Sequence, residues 1–306
     1  MIAKHLIDNF DTKIFKYFNP INTQKWKLKY ETSIKDIAHD EPWLTLIAFY
    51  SIFGNQATYT QKTLSAINKV LNGSGLKNKI DFTEIDRVQV EIKFPEILSY
   101  RDYLKEQFKN ADFHLYPDRR EKIKTKLTKK IASYEGNTNL DLIIEGISNG
   151  KKTTCFIEAK FLSDISYQIT YNPVRDQIIR NIDCGIDYVQ SKTFIDKYSN
   201  FYFFLLTPKI FKPYLSNSSK SVLNKLGADR SRLYCYKMKE YTEDFSKIKE
   251  SLPHRDLNDN DWKTISENIG WLTFEDFYKS SMEFSTFENQ FEADMIKNFF
   301  EERNLI

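Results

Sequence analysis

The stretch that decides the fold runs from Asn139 to Gln168, NLDLIIEGISNGKKTTCFIEAKFLSDISYQ. Two strand-like runs flank Asn149-Gly150. Asn-Gly is the strongest short hairpin signal, because a type I′ turn requires φ > 0 at both central residues. A turn centred there pairs Ser148 with Lys151 and, in the same register, Asp141 with Glu158. Directly opposed residues share a face, with Cβ atoms about 4.5–5.5 Å apart. Strand side chains alternate with period two, so Lys160 joins Glu158 on that face. Turn chemistry alone therefore predicts two carboxylates and an ammonium meeting at one end of a sheet.

Two carboxylates that close repel one another unless a cation lies between them. Hard oxygen ligands with room for water suit Mg²⁺, with Mn²⁺ an acceptable substitute. Asp141 and Glu158 are the candidate ligands, and the Ala159 backbone carbonyl between Glu158 and Lys160 is a further one. A bound Mg²⁺ acidifies water and offsets charge on a leaving oxygen, which is phosphodiester-cleaving chemistry. Lys160 is placed to hold the attacking water or to neutralise charge in the transition state. The competing reading of the same residues is a structural ion pair at a sheet end. A rival Glu91-Ile92-Lys93 stands on another strand-like run, with Asp81 and Asp86 upstream, but lacks the tight hairpin.

Around the hairpin the chain reads as α/β. Residues 1–80 are expected to be mainly helical, with a buried helix at Pro42–Phe53 whose start carries acids and a proline. Asn72-Gly73-Ser74-Gly75 breaks the pattern and lacks the spacing of a phosphate-binding loop. Residues 87–94, RVQVEIKF, alternate, which places Val88, Val90, Ile92 and Phe94 on one face. A basic helix is expected over 117–134, carrying Arg119, Arg120, Lys122, Lys124, Lys126, Lys129 and Lys130, with Gly136 after its end. Asn172-Pro173 opens the helix after the hairpin, and Gly185 marks a kink or an end in it. Phe201–Thr207 and Leu233–Met238 read as short strands. An amphipathic helix closes the chain near Phe287–Asn304.

The net charge of +3 is unevenly placed: residues 239–306 hold 16 acids and 8 bases, leaving about +11 on residues 1–238. A basic face for phosphates beside an acidic segment is the functional reading, and an uneven solvated surface the plain one. The three cysteines are far apart and the four histidines isolated, so no zinc spacing or Cys/His catalytic pattern appears. The N-terminus lacks an apolar signal region and the longest apolar stretch, Trp43–Phe53, is too short to span a bilayer. A cytoplasmic protein without membrane contact is expected.

At these residues the chain resembles the PD-(D/E)XK nuclease superfamily, whose pattern is an acid opening one strand and (D/E)-X-K closing the next. Asp141 and Glu158-Ala159-Lys160 match it; Leu140 stands where the motif has proline. The resemblance covers about residues 120–240. It implies a restriction-endonuclease-like core of αβββαβ order, with a mixed central sheet flanked by helices, over 81–238. An N-terminal helical region (1–80) and an acidic C-terminal helical segment (239–306) would flank it. It implies Asp141 and Glu158 as metal ligands and Lys160 as catalytic. Glu135, at the end of the basic helix, resembles an extra helix ligand, the alternative being a charge neutralised by nearby lysines. Gln177, Arg180 and Asn181 resemble a helix motif that touches phosphate or water, the alternative being an ordinary solvated flank. Arg119, Arg120, Lys126, Lys130, Arg175, Arg180 and Asn181 are then candidate nucleic-acid contacts. Ser163 and Asp164 are placed to approach substrate, although Asp164 suits a turn or cap as well. The implied activity is Mg²⁺-dependent endonuclease action, DNA favoured over RNA, in restriction, phage defence or repair. A homodimer is a possible arrangement. The alternative is a catalytically silent nuclease-like domain that binds nucleic acid or a protein.

Overall fold

The computed structural model describes residues 41–54, 59–109, 125, 135–165, 175–191, 198, 200–212 and 232–306. Apart from Thr125, the expected basic helix, with Arg119, Arg120, Lys126 and Lys130, lies outside the described residues, as does Asn172-Pro173.

The hairpin is built as its turn requires. Asn149 and Gly150 both take left-handed backbone, φ 51° and 75°. They join β2 (Thr138–Ser148) to β3 (Lys151–Ala159), which pair antiparallel from Ser148–Lys151 to Leu142–Ile157. On the other side of β2 runs β1 (Phe82–Phe94), also antiparallel. After β3 the chain crosses through α4 (Gln177–Ser191) and returns as β4 (Phe201–Thr207), parallel to β3. The result is a five-stranded mixed sheet in the order β1-β2-β3-β4-β5, in which β5 (Ile269–Thr273) lies parallel to β4.

Alternation along the central strands feeds two apolar layers. Leu142, Ile144, Cys155, Ile157, Phe204 and Leu206 point to one side. That side is covered by α1 (Glu41–Phe53), α2 (Gln61–Asn72), α8 (Phe274–Phe284) and α9 (Gln290–Glu301). Ile143, Phe156, Phe203 and Leu205 point to the other. There the cover is α3 (Leu98–Gln107), α4, α5 (Leu233–Glu243), α6 (Phe245–Ser251) and α7 (Asp259–Glu267). The described part of residues 1–80 and residues 239–306 both contribute to the layers of the sheet. Helices from both belong to the sheet's own apolar layers, and the last strand comes from the acidic segment.

Four expectations are corrected. Leu233–Met238 is the start of α5, not a strand. Tyr234, Met238 and Tyr241 are buried at helical spacing, and a short apolar run does not by itself distinguish the two states. The apolar residues of β1 do not share a face: Val88 and Val90 join one layer, Ile92 and Phe94 the other. Between them Glu91 takes φ 53°, which breaks the simple alternation. The helix after the hairpin starts at Gln177, since Arg175 and Asp176 before it are not helical, and the Asp176 carboxylate accepts from Ile179 N at 3.0 Å as a cap. Finally, α4 does not end at Gly185, whose missing side chain leaves space for the Phe201 ring; a Cβ there would lie 2.0 Å from it.

Gly146 is the other close approach, since a Cβ would meet the Glu84 carbonyl oxygen at 2.0 Å, beside the register shifts of β1. Backbone cannot yield there as a side-chain tip can. Gly146→Ala is expected to lower stability by about 1–3 kcal/mol, read as a fall in the urea midpoint at unchanged slope.

Candidate active site

The register that places Leu142 opposite Ile157 brings Asp141, the next residue of β2, across from Glu158 of β3. Asp141 Oδ2 accepts a hydrogen bond from Ala159 N at 2.7 Å, which ties the acid to the end of the neighbouring strand. The end concerned is the carboxyl end of β3 and of its parallel neighbours β4 and β5. In open α/β sheets that is the edge where ligands bind.

Glu158 is the most enclosed member, its side chain 2 % exposed. Its Oε1 accepts from Lys160 Nζ at 2.8 Å and from Gln177 Nε2 at 2.5 Å, and its Oε2 from Asn181 Nδ2 at 2.7 Å. Gln177 and Asn181 are four residues apart on α4, so one helix face presents both amides to the carboxylate. Lys160 Nζ also donates to the Ala159 carbonyl at 2.9 Å. Its third acceptor is Glu41 Oε1 at 3.1 Å.

Glu41 is the residue that sequence reasoning missed. It is the first residue of α1, and its Oε2 accepts from Phe161 N at 2.8 Å and Ser163 Oγ at 2.5 Å. The acids before Pro42 were legible only as helix-start chemistry. Nothing local connects Glu41 to a lysine 119 positions away.

The charges disturb one another strongly. Loss of solvent around Asp141, then repulsion from Glu158, pushes its carboxyl well above the usual range. Burial also raises Glu158, with Lys160 and Asn181 opposing the rise. For Lys160, burial acts downward, but Glu158, Asp141 and Glu41 outweigh it and hold the ammonium above the usual lysine value. Counted formally, the cluster sets three carboxyls, Asp141, Glu158 and Glu41, against one lysine, and a further cation would favour their ionised forms.

Among the described residues no group of three or more His, Cys, Asp or Glu side chains is arranged to hold a metal ion. What the site offers is two carboxylates and the Ala159 carbonyl. That donor set fits Mg²⁺, which keeps several waters and is usually bound through one or two carboxylates.

Glu135, expected as an extra ligand, is instead neutralised elsewhere: its carboxylate takes two hydrogen bonds from Arg175, at 3.0 and 3.1 Å, and pairs with Arg180. Arg175 and Arg180 were expected to reach phosphates, and both are buried. Arg175 is 0 % exposed, pairs with Glu135 and Asp183, and stacks on the Tyr100 ring at 3.9 Å. Arg180 Nη2 donates to the carbonyls of Glu135, Gly136 and Asn137, bracing the approach to β2. Asn181 serves Glu158 and is itself buried, so it is no nucleic-acid contact as placed. Asp164 caps α5 by accepting from Leu233 N, while Ser163 serves Glu41. The rival Glu91 is flanked by the pairs Val90–Leu142 and Ile92–Leu140, so the register sets it beside Asp141 on the adjoining strand. Lys93 is exposed.

No family model, no curated protein and no solved structure matches the chain. No helix among the described residues is long and apolar enough to cross a membrane.

The placement of Arg175 has a measurable consequence. Arg175→Met removes the buried partner that bridges Glu135 and Asp183, leaving Glu135 to Arg180 and Asp183 to His254 and Arg255; breaking this buried pairing is expected to cost about 3 kcal/mol in chemical denaturation. A phosphate-contacting arginine would change nucleic-acid affinity and leave that stability intact.

Proposed function

We propose that this protein is a Mg²⁺-dependent nuclease that hydrolyses phosphodiester bonds, with DNA endonuclease action the favoured form. The carrying observation is the meeting of Asp141, Glu158 and Lys160 at the carboxyl edge of a mixed sheet, with Gln177 and Asn181 of the following helix fixed on Glu158. A plain structural ion pair needs no second carboxylate on the adjacent strand. Nor does it need a lysine shared by three oxygens. The arrangement resembles the PD-(D/E)XK pattern in residue type, strand placement and helix support.

In this reading Asp141, Glu158 and the Ala159 carbonyl hold the metal. The ion supplies an acidified water and positive charge for the leaving oxygen. Lys160 keeps its proton next to the acids and offers donors to the attacking water or to charge on the phosphate. Gln177 and Asn181 fix the rotamer of Glu158, leaving Gln177 at the rim to touch water or phosphate. The basic run Arg119–Lys130 would supply phosphate contacts to either nucleic acid; the preference for DNA over RNA rests on the family the site resembles.

The test is cleavage of labelled DNA and RNA with Mg²⁺ and with EDTA. Asp141→Asn and Lys160→Ala should each reduce the rate by about 100-fold or more, with thermal unfolding checking that both variants fold. Cleavage that survives both changes would sink the assignment; tight binding without cleavage would favour a silent binding domain.

A pH dependence follows from the raised acids. Protons compete with the metal for Asp141 and Glu158, and because both carboxyls are raised, the competition begins nearer neutrality than for ordinary carboxylates. Cleavage at fixed low Mg²⁺ should therefore fall as pH drops. More Mg²⁺ should move the acid limb to lower pH. An acid limb that does not respond to Mg²⁺ would contradict this.

A further inference from the structure

Lys160 holds three acceptors, Glu158 Oε1, the Ala159 carbonyl and Glu41 Oε1. An ammonium has three protons, so all its donors are committed. Two of those acceptors are oxygens that the nuclease reading gives to a divalent cation. The ammonium and such a cation repel at contact distance and compete for the same lone pairs. The third acceptor lies outside the ligand set and is held in place by Phe161 N and Ser163 Oγ.

We infer that Lys160 is an internal cation standing at the metal's oxygens, and that Glu41 is the positioning residue that keeps it paired when a divalent cation displaces it. The inference rests on the nuclease reading of this site. Its physical basis is the cost of stranding a charge. Lys160 is 7 % exposed, and an enclosed ammonium stripped of its carboxylate partner is strongly unfavourable. Were Glu158 its only counter-ion, yielding Glu158 to a metal would strand it. Glu41, 22 % exposed and anchored at the turn after β3, lets Lys160 release Glu158 and Ala159 without losing all compensation. The same move leaves the ammonium beside the metal's oxygens, where a lysine acting on water or phosphate is required. α1 thereby contributes to the chemistry through Lys160 rather than as a metal ligand, in keeping with the absence of a three-acid cluster among the described residues.

The experiment is calorimetric titration of Mn²⁺ into the full chain without nucleic acid, for wild type, Lys160→Met, Lys160→Gln, Glu41→Gln and Glu41→Gln combined with Lys160→Met. Removing the competing ammonium should tighten Mn²⁺ binding about tenfold in both Lys160 variants, within the usual range of coupling between two sites. Glu41→Gln should weaken binding about fivefold in the wild-type background, and that loss should shrink when Lys160 is already Met. Melting temperatures with and without Mn²⁺ give a second reading: a Lys160→Met chain that needs metal to fold should gain more from Mn²⁺ than wild type does. Unchanged or weaker affinity in both Lys160 variants would overturn the inference. So would an equal loss from Glu41→Gln in both backgrounds, which would make Glu41 a direct ligand. Wild type that binds no Mn²⁺ would instead remove the nuclease reading itself, and the two failures are thus told apart.

Discussion

The Glu158 carboxylate is withdrawn from water at the end of the central strand, and much of the structure is arranged around that fact. A charge at that depth costs several kcal/mol unless it is paired and hydrogen-bonded. Lys160 follows on the same strand, and Gln177 and Asn181 come from α4. For both amides to reach one carboxylate, α4 must begin at the right height and present the right face. That height is set by other buried contacts. Asp176 accepts from Tyr241 of α5 at 2.6 Å, Arg175 clasps Glu135 just before β2, and Asp183 pairs with Arg175 and Arg255.

Two charge systems therefore meet on and beside α4. One faces the sheet's carboxyl edge and encloses Glu158. The other, built from Glu135, Arg175, Asp183, His254 and Arg255, locks the helix against its surroundings. In spite of its burial, Asp183 is held below the usual carboxylate range by Arg175, His254 and Arg255. Asp141 and Glu158 are held above it. The contrast separates the roles. The locking network is electrically satisfied, whereas at the edge burial dominates and holds both carboxyls up.

The hairpin was legible because its information is local. Asn149-Gly150 specifies the turn, the turn specifies the register, and period two specifies the face. The strand Phe201–Thr207 and the helix at Gln290–Glu301 were legible for similar reasons, as an apolar run and an amphipathic period. Leu233–Met238 misled because six apolar-rich residues satisfy strand and helix alike until Tyr241 and the Asp164 cap come into view. β5 was missed because IGWLT is short and sits within an acidic stretch. Its role depends on packing beside β4, which no local feature announces.

Arg175 and Arg180 show a different limit. A basic residue near a candidate nuclease site reads as a phosphate contact, and only burial distinguishes that from a structural ion pair. Their partners, Glu135 and Asp183, lie in other segments or on another face of the helix. Glu41 is the clearest instance of long-range decision. By itself the sequence determined that Asp141, Glu158 and Lys160 share one end of one face, since backbone sterics at a two-residue turn and the pleat of a strand need no distant partner. Only the tertiary structure decided what those charges hold. The neutralising groups for a buried carboxylate and its lysine come from wherever packing brings a donor or an acid into reach, and one of them starts a helix 119 residues away.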